Sequence, residues 1–270
     1  MMSTTLQQFE GAGQVGFREQ GQGAPLVLLH GVGMQSAAWA PQIAALSRSH
    51  RVIALDLPGH GGTSALYGTP RLPDFVRWLE QVLTALAPGP VSLAGHSMGA
   101  LIAAGYAVTR PGAVRRVALL NGAYRRDPTA RQAVIDRAAQ IRAGKMEIDT
   151  PLDRWFGQDT GTDEVRAQVR AWLTGVDHKG YGDAYEAFAE GDATYADQLR
   201  EYPGPFLALT GEHDPNSTPA MSRAMAQAAP QGQAVIISGA RHMANLTAPE
   251  AVNAALSDWL TECGETRRRA

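Results

Sequence analysis

The sequence predicts an α/β protein with a mostly parallel sheet that is covered by helices on both faces. Short apolar runs bounded by Gly or Pro have the length of fully buried strands, and they alternate with longer segments whose apolar residues are spaced for helices. Strands that are apolar on both faces need helices on both sides of the sheet. The composition, with 44% hydrophobic and 19% charged residues, is that of an ordinary globular protein.

The predicted elements follow in order from these runs. Strands are expected at residues 25–29, 51–55, 91–94, 114–120, 206–210 and 234–238. Helices are expected at residues 39–47, 75–86, 98–110 and 249–260, and Pro111-Gly112 ends the third of them.

The pattern changes between residues 124 and 202, where only helical spacing is found. Strands resume on the far side, so we expect one core, residues 1–123 and 203–270, interrupted by a helical cap at 124–202. A second independent domain is the alternative. The tail 262–270 is expected to be frayed.

Charge and cysteine content limit the function classes. The 270 residues include 24 Lys plus Arg and 26 Asp plus Glu, a net charge of -2, which gives no general attraction to nucleic acid or to an anionic membrane. We therefore expect a small-molecule partner bound in a pocket. Cys263 is the one cysteine, so no intrachain disulfide or C-x-x-C pair is possible. The polar run at residues 1–10 does not read as a secretory signal, and a cytoplasmic location is expected.

A serine motif lies where the third predicted strand meets the third predicted helix. Residues 95–99 read Gly-His-Ser-Met-Gly, which matches G-x-S-x-G in the strand–turn–helix context that this motif requires. Gly95 and Gly99 allow the strand and the helix to approach closely. The pattern predicts that Ser97 is a nucleophile presented above the sheet.

A serine hydroxyl needs a base, and the base needs a carboxylate to orient it. Asp214 follows the strand at 206–210, and His242 follows the next strand. The order Ser97, Asp214, His242 is that of α/β-hydrolases rather than of the chymotrypsin or subtilisin folds. Capping of nearby helices is the structural alternative for Asp214 and His242.

Two backbone N–H groups are candidates for binding the anionic oxygen of a tetrahedral intermediate. Val32 lies in the His-Gly-Val-Gly segment after the first predicted strand, and Met98 directly follows the nucleophile at a helix start. A plain flexible turn is the alternative for the first segment.

Other motifs give no support for a cofactor or a metal. Residues 11–16 match G-x-G-x-x-G but open no helix, so we expect a hairpin turn there, and no phosphate-binding G-x-x-x-x-G-K-[ST] occurs. No metal-ligand spacing such as H-E-x-x-H is present. His96 is expected to pack beside the nucleophile, while His50, His60 and His178 are expected to stabilise turns or face water.

These motifs together resemble the α/β-hydrolase family over essentially the full chain. The resemblance is carried by His30-Gly31 with Trp39 downstream, residues 56–64 (Asp-Leu-Pro-Gly-His-Gly-Gly-Thr-Ser), and residues 95–99, 211–214 and 239–242. It is strongest to the branch of 3-oxoadipate enol-lactonases, non-heme haloperoxidases and small carboxylesterases. It implies an eight-stranded, mostly parallel sheet with the site under the cap, and no cofactor. The bulky Arg241 departs from the family's usual glycine before the base.

Substrate contacts are expected from the cap and from loops at the carboxyl ends of strands. Arg125 and Arg126 are candidates for binding a substrate carboxylate, with solvated surface as the alternative. Aromatic candidates for the lining are Trp39, Tyr124, Trp155, Phe156 and Tyr181, together with Trp172, Tyr185 and Phe188, although internal packing of the cap would give the same spacing.

The sequence thus predicts a cofactor-independent serine hydrolase that cleaves a small ester or lactone through an acyl-enzyme. Perhydrolysis and hydrolysis of a C–C bond beside a ketone use the same three residues and stay open. A non-catalytic ligand receptor on the same fold is the alternative from another class.

Overall fold

The computed structural model describes residues 3–157 and 161–261. They form an eight-stranded sheet with the order β1-β2-β4-β3-β5-β6-β7-β8. β1 pairs with β2 and β2 with β4 in antiparallel fashion, and the other neighbouring strands are parallel. The fold is therefore the predicted mostly parallel α/β sheet. The strands are β1 (Thr5–Phe9), β2 (Gly13–Gln20), β3 (Pro25–Leu29), β4 (Arg51–Leu55), β5 (Val91–His96), β6 (Val114–Leu120), β7 (Phe206–Gly211) and β8 (Gly232–Ile237).

The six strands predicted from apolar runs correspond to β3–β8, although β8 begins two residues before its predicted start. β1 and β2 have no such run because they form a hairpin at the sheet edge, where most residues of β1 are exposed. The G-x-G-x-x-G match at residues 11–16 spans the turn of this hairpin and the first four residues of β2. Gly11 and Gly13 have positive φ angles of 76° and 73°, which glycine adopts without steric cost.

Helices cover both faces of the sheet. Side chains of a strand alternate between the faces, so Val27 and Leu29 pack with α2 and α3 while Leu26 and Leu28 pack with α1 and α10. The helices are α1 (Ala40–Leu46), α2 (Leu72–Leu86), α3 (Met98–Thr109), α4 (Pro128–Arg142), α5 (Asp149–Phe156), α6 (Asp163–Gly175), α7 (His178–Gly191), α8 (Pro219–Ala228), α9 (Ala244–Thr247) and α10 (Pro249–Thr261).

Helices α4–α7 lie between β6 and β7 in the chain, and we call residues 124–202 the helical insertion. α7 packs against α4 and also against α2 and α3, two of the helices that cover the sheet. Its Gly180 lies against Gly59, and a Cβ added to either glycine would be 2.3–2.4 Å from the other's Cα. Backbone therefore meets backbone at this contact. The division into core and cap at these residue numbers remains a prediction.

The parallel strands end at one edge of the sheet, where ligands of open α/β sheets bind. The loops after β3, β5, β6, β7 and β8 meet at this edge. In the described ranges, we find no helix whose length and apolar character would let it cross a membrane.

Candidate active site

Ser97 occupies a strained turn between β5 and α3. Its φ is 54°, a value that is uncommon for residues other than glycine and that costs about 1–3 kcal/mol. The turn is held by the Ser97 N–H, which donates to the Leu120 carbonyl at 2.9 Å, and by the Ala100 N–H, which donates to the Ser97 carbonyl at 3.0 Å.

Glycine is required on both sides of this turn because backbone atoms of neighbouring segments are in close contact. A Cβ on Gly95 would lie 2.0 Å from the carbonyl oxygen of Gly99, and a Cβ on Gly99 would lie 2.3 Å from that of Leu29. The two glycines of the G-x-S-x-G motif thus allow β5, α3 and β3 to pack together under Ser97.

His242 and Asp214 are joined by a hydrogen bond of 2.8 Å between Nδ1 and Oδ2, and both side chains are buried. Because Nδ1–H donates to the carboxylate, the proton of the neutral imidazole is on Nδ1 and Nε2 is free to accept a proton. The His242 carbonyl accepts a hydrogen bond from His96 Nε2 at 2.8 Å. His96, which the sequence places beside the nucleophile, therefore fixes the loop of His242.

The Asp214 carboxylate has donors on both oxygens. Oδ1 accepts the backbone N–H groups of Asn216 at 2.8 Å and Ser217 at 3.2 Å, and Oδ2 accepts the Asn121 side-chain amide at 2.8 Å. Burial by itself raises the pKa of Asp214, but His242 and these hydrogen bonds together outweigh it and hold that pKa below its ordinary value. Asp214 is thereby kept ionised next to His242.

Ser97 and His242 line one cavity of about 280 Å³. This volume is at the small end of the range of ligand pockets, about 300–1,000 Å³, so the cavity suits a small molecule. Trp155 of α5 also lines it and stacks on His242, with ring centroids 5.8 Å apart and an interplanar angle of 28°. The helical insertion therefore contacts the imidazole directly. Other lining residues include Gly31, Val32, Met34, His96, Arg126, Asp127, Arg154, Tyr185, Phe188, Met221 and Met243.

The loop after β3 passes close to Ser97. A Cβ on Gly31 would be 3.1 Å from Ser97 Cβ and 2.9 Å from His96 Nδ1. Val32 faces the cavity, while the N–H of Gly33 donates to His60 Nε2 at 2.9 Å. Met98 is the first residue of α3, and the first N–H groups of a helix have no partner within it. The two predicted oxyanion donors thus belong to backbone segments next to Ser97, and their role remains a prediction.

His30 and His60 stabilise this loop through hydrogen bonds. His30 Nε2 accepts the Leu57 N–H and its Nδ1 donates to the Gly31 carbonyl, at 2.9 and 2.7 Å. Burial lowers the pKa of His30 to about 4 and that of His60 to about 3. Of the two expectations for His60, to stabilise a turn or to face water, the first is met: it is buried and accepts the Gly33 N–H, which follows Val32. Nothing in the sequence of the glycine-rich segment at residues 30–33 indicates that His60, farther along the chain, supports it.

Of the ten candidate substrate contacts, four line the cavity: Arg126, Trp155, Tyr185 and Phe188. The other six lie elsewhere, which corrects those expectations, and Trp172 borders a different cavity. Trp39 is fully buried against α1 and α10 on the opposite face of the sheet. Tyr124 borders a separate small cavity beside α3, and Arg125 is exposed and paired with Asp197. Phe156 packs in the interior, and Tyr181 packs against Gly33. The spacing of apolar residues does not distinguish a packed aromatic from one that lines a pocket.

The structure places Arg126, rather than Arg125, at the cavity, and adds Arg154, which sequence reasoning missed. The local sequence does not distinguish Arg126 from Arg125, since the Asp127-Pro128 pair that follows only fixes where α4 begins. Among the described residues, His, Cys, Asp and Glu side chains form no group of three that could bind a metal ion.

Comparison with known proteins finds hydrolases that are similar to this chain. The (E)-2-((N-methylformamido)methylene)succinate hydrolase of Acinetobacter baylyi is 50% identical over 260 residues, which cover 96% of this chain and 98% of that protein. The enol-lactonase of Burkholderia xenovorans LB400 is 28% identical and has a TM-score of 0.86, with 96% of this chain and 100% of that chain covered. A thermophilic esterase of Thermogutta terrifontis is 25% identical with a TM-score of 0.84, covering 96% and 98%.

The family model described as the alpha/beta hydrolase family matches residues 26–255. This match spans β3 to α10 and includes the loops that carry Ser97, Asp214 and His242. The resemblance inferred from the motifs is thus confirmed, and the chain belongs to the alpha/beta hydrolase family.

Proposed function

We propose that the protein is a serine hydrolase that works through an acyl-enzyme, with Ser97 as nucleophile, His242 as base and Asp214 as the carboxylate that orients the base. One observation carries this proposal: Ser97, on its strained turn, shares a cavity with His242, whose Nδ1 is bonded to Asp214 at 2.8 Å. His242 Nε2 takes the Ser97 proton as Ser97 Oγ attacks the substrate carbonyl, and the imidazolium is stabilised by Asp214.

The tetrahedral intermediate places a negative charge on the former carbonyl oxygen. The N–H groups of Val32 and Met98 are our candidates for binding this oxygen, because Val32 lines the cavity, Met98 directly follows Ser97, and both are backbone groups. His242 then gives its proton to the leaving group. Water, activated in turn by His242, releases the acid from Ser97.

The substrate that we propose is an N-formyl enamine of the kind named in the 50% identical relative. In (E)-2-((N-methylformamido)methylene)succinate the formyl carbonyl is bonded to a nitrogen whose lone pair is also conjugated, through the C=C bond, with a carboxylate. This conjugation weakens the amide and improves the nitrogen as a leaving group. Ser97 would carry a formyl group, and the overall reaction adds water across the formyl C–N bond to give formate and the secondary enamine.

Ester or lactone hydrolysis is the second candidate, favoured by the likeness to the Burkholderia xenovorans enol-lactonase. It uses the same acyl chemistry and differs in the leaving atom, which is oxygen instead of nitrogen. Assaying one preparation with the N-formyl enamine, an enol-lactone, p-nitrophenyl esters, a peracid-forming mixture and a C–C cleavage substrate separates the candidates, including the perhydrolase and C–C hydrolase alternatives.

The test of the nucleophile combines a label with a substitution. A fluorophosphonate should label Ser97 of the intact protein, and Ser97→Ala should lose both labelling and turnover of the N-formyl enamine and of p-nitrophenyl acetate while keeping its circular dichroism spectrum. Undiminished turnover in Ser97→Ala would refute the proposal. Ligand binding without labelling of Ser97 would favour the non-catalytic receptor instead.

A further inference from the structure

A buried guanidinium lines the cavity on the side of the helical insertion. The Arg126 side chain is 3% exposed, and its backbone N–H donates to Asp192 Oδ2 at 2.6 Å. Its Cζ lies 4.3 Å from the centre of the Phe188 ring, a cation–π distance. Arg126 is therefore fixed in place at the wall of the cavity that also contains Ser97.

Part of this guanidinium is not used by the fold. Nη1 donates to the Phe188 carbonyl at 3.3 Å and lies 3.5 Å from Asp192 Oδ1. Across residues 3–157 and 161–261, neither Nε nor Nη2 of Arg126 has a hydrogen-bonding partner. A guanidinium presents its donors as a planar fork that matches a carboxylate. Arg126 thus keeps donors that a ligand in the cavity could use.

The charge around Arg126 is not neutralised. The buried Asp192 carboxylate is shared with Arg131, whose Nη2 lies 2.7 Å from Oδ1. Two guanidiniums therefore face one carboxylate, and the group carries one net positive charge. Burial lowers the pKa of Arg126 and Asp192 opposes that shift. An anion entering the cavity would supply the missing countercharge at a site with little water.

A second guanidinium, that of Arg154 on α5, lies at the exposed rim of the same cavity. The half-buried Tyr185 side chain lines this cavity together with both arginines. Asp127 also lines the cavity, but its Oδ1 accepts the Ala130 N–H at 2.9 Å and caps α4. The two arginines thus both belong to the helical insertion and line the cavity that contains Ser97.

From this juxtaposition we propose that Arg126 and Arg154 form a recognition site for a small dicarboxylate, each guanidinium binding one carboxylate of the substrate while its acyl group lies at Ser97. The inference deepens the proposed function and rests on it. It makes Arg126 and Arg154 the residues that select a dianionic substrate over a neutral ester, through contacts that Ser97 and His242 do not make.

The test measures binding, so that it does not depend on the identity of the scissile bond. Methylenesuccinate, its monomethyl ester and its dimethyl ester are titrated into the Ser97→Ala protein by calorimetry, because this variant should not hydrolyse the esters. We expect the dianion to bind more tightly than the dimethyl ester by about 10- to 100-fold, as expected for charge-assisted hydrogen bonds, with the monoanion between them.

Substitutions in the same Ser97→Ala background assign the binding to residues. Arg126→Gln and Arg154→Gln should each weaken the binding of methylenesuccinate at least about tenfold and leave the binding of the dimethyl ester unchanged. Arg125→Gln is the matched control, because Arg125 is the neighbouring arginine in the chain but is exposed and paired with Asp197. It should bind all three ligands like the parent.

Equal binding of the dianion and the dimethyl ester would overturn the proposal, and this comparison holds even where Arg126→Gln fails to fold. Unchanged dianion binding in Arg154→Gln, an exposed position, would remove Arg154 from the site. Failure of fluorophosphonate labelling would refute the serine nucleophile but not the dicarboxylate site, whereas labelling and turnover without dianion selectivity would refute the dicarboxylate site alone.

Discussion

Asn121 donates a 2.8 Å hydrogen bond to the Asp214 carboxylate oxygen that also bonds His242 Nδ1. Asn121 lies at the carboxyl end of β6, is fully buried and has a positive φ of 48°. Asparagine tolerates this left-handed conformation better than most residues other than glycine. Its amide therefore orients Asp214 from a strand next to the one that carries Asp214.

The first prediction concerns this amide. Asn121→Gly removes the donor without backbone strain, since glycine adopts a positive φ freely. With one donor fewer, the pKa of Asp214 rises, so the acidic limb of the kcat/KM profile against pH, which reports the coupled Asp214–His242 pair, should move to higher pH and kcat should fall about tenfold. Asn121→Asp, which places a second carboxylate beside Asp214, should shift the limb further. An unmoved profile in both variants would contradict a positioning role for Asn121.

The second prediction concerns the distance between the loop after β3 and Ser97. A Cβ on Gly31 would press on Ser97 Cβ and His96, so Gly31→Ala should push Val32 away from Ser97 and lower kcat about 100-fold, as small misplacements at reacting centres do. Gly112→Ala is the control, because Gly112 is exposed with no atom within 4 Å of an added Cβ. If both variants retain parental turnover of p-nitrophenyl acetate, the loop does not supply a donor.

The third prediction concerns stability in acid. His30, His60 and His96 are buried, and burial lowers their pKa values to about 4, 3 and 3. The unfolded chain binds these protons near pH 6.5, so between pH 6.5 and about 3 it holds more protons than the folded protein. The free energy of unfolding should therefore decrease with falling pH in this window, by about 1.4 kcal/mol per pH unit for each histidine that is protonated only on unfolding.

Urea unfolding at pH 7, 6, 5 and 4 measures this slope. His60→Gln is the informative variant, because a glutamine amide retains one acceptor and one donor for the Gly33 N–H and the Pro58 carbonyl. His60→Gln should reduce the slope of the free energy of unfolding against pH by the contribution of one histidine proton. A slope that is the same in the parent and in His60→Gln would show that His60 is not linked to unfolding.

The fourth prediction compares two neighbouring ion pairs. Asp192→Asn leaves the buried Arg126 without its countercharge and should lower the free energy of unfolding by about 3 kcal/mol, as loss of one partner of a buried pair does. Asp197→Asn removes the partner of the exposed Arg125 and should leave the unfolding midpoint in urea unchanged. Equal midpoints for the two variants would contradict the structural importance of Asp192.

The sequence predicted the parts of the fold that are determined by burial. Strands β3–β8 have apolar runs because they are covered on both faces, and the ends of neighbouring parallel strands bring Ser97, Asp214 and His242 to one edge. β1 and β2 were not predicted, because an edge hairpin has an exposed face and needs no apolar run.

The lining of the cavity was harder to predict because it depends on contacts between distant segments. Arg125 and Arg126 are adjacent and chemically identical, and only the buried Asp192, 66 residues further along the chain from Arg126, determines which of them faces inward. Trp39 and Trp155 were likewise both candidates for the lining, yet one is packed against α1 and α10 and the other stacks on His242. Their surroundings are set by tertiary packing, which spacing along the chain does not encode.

The stacking of Trp155 on His242 has a consequence for engineering. If residues 124–202 were exchanged for the matching segment of a relative to change the specificity, the exchange would also replace Trp155, which stacks on His242. Such chimeras should therefore retain turnover only where the donor segment places an aromatic ring in the same stacking position on His242. A variant from which the helical insertion is deleted would lose this contact with the imidazole.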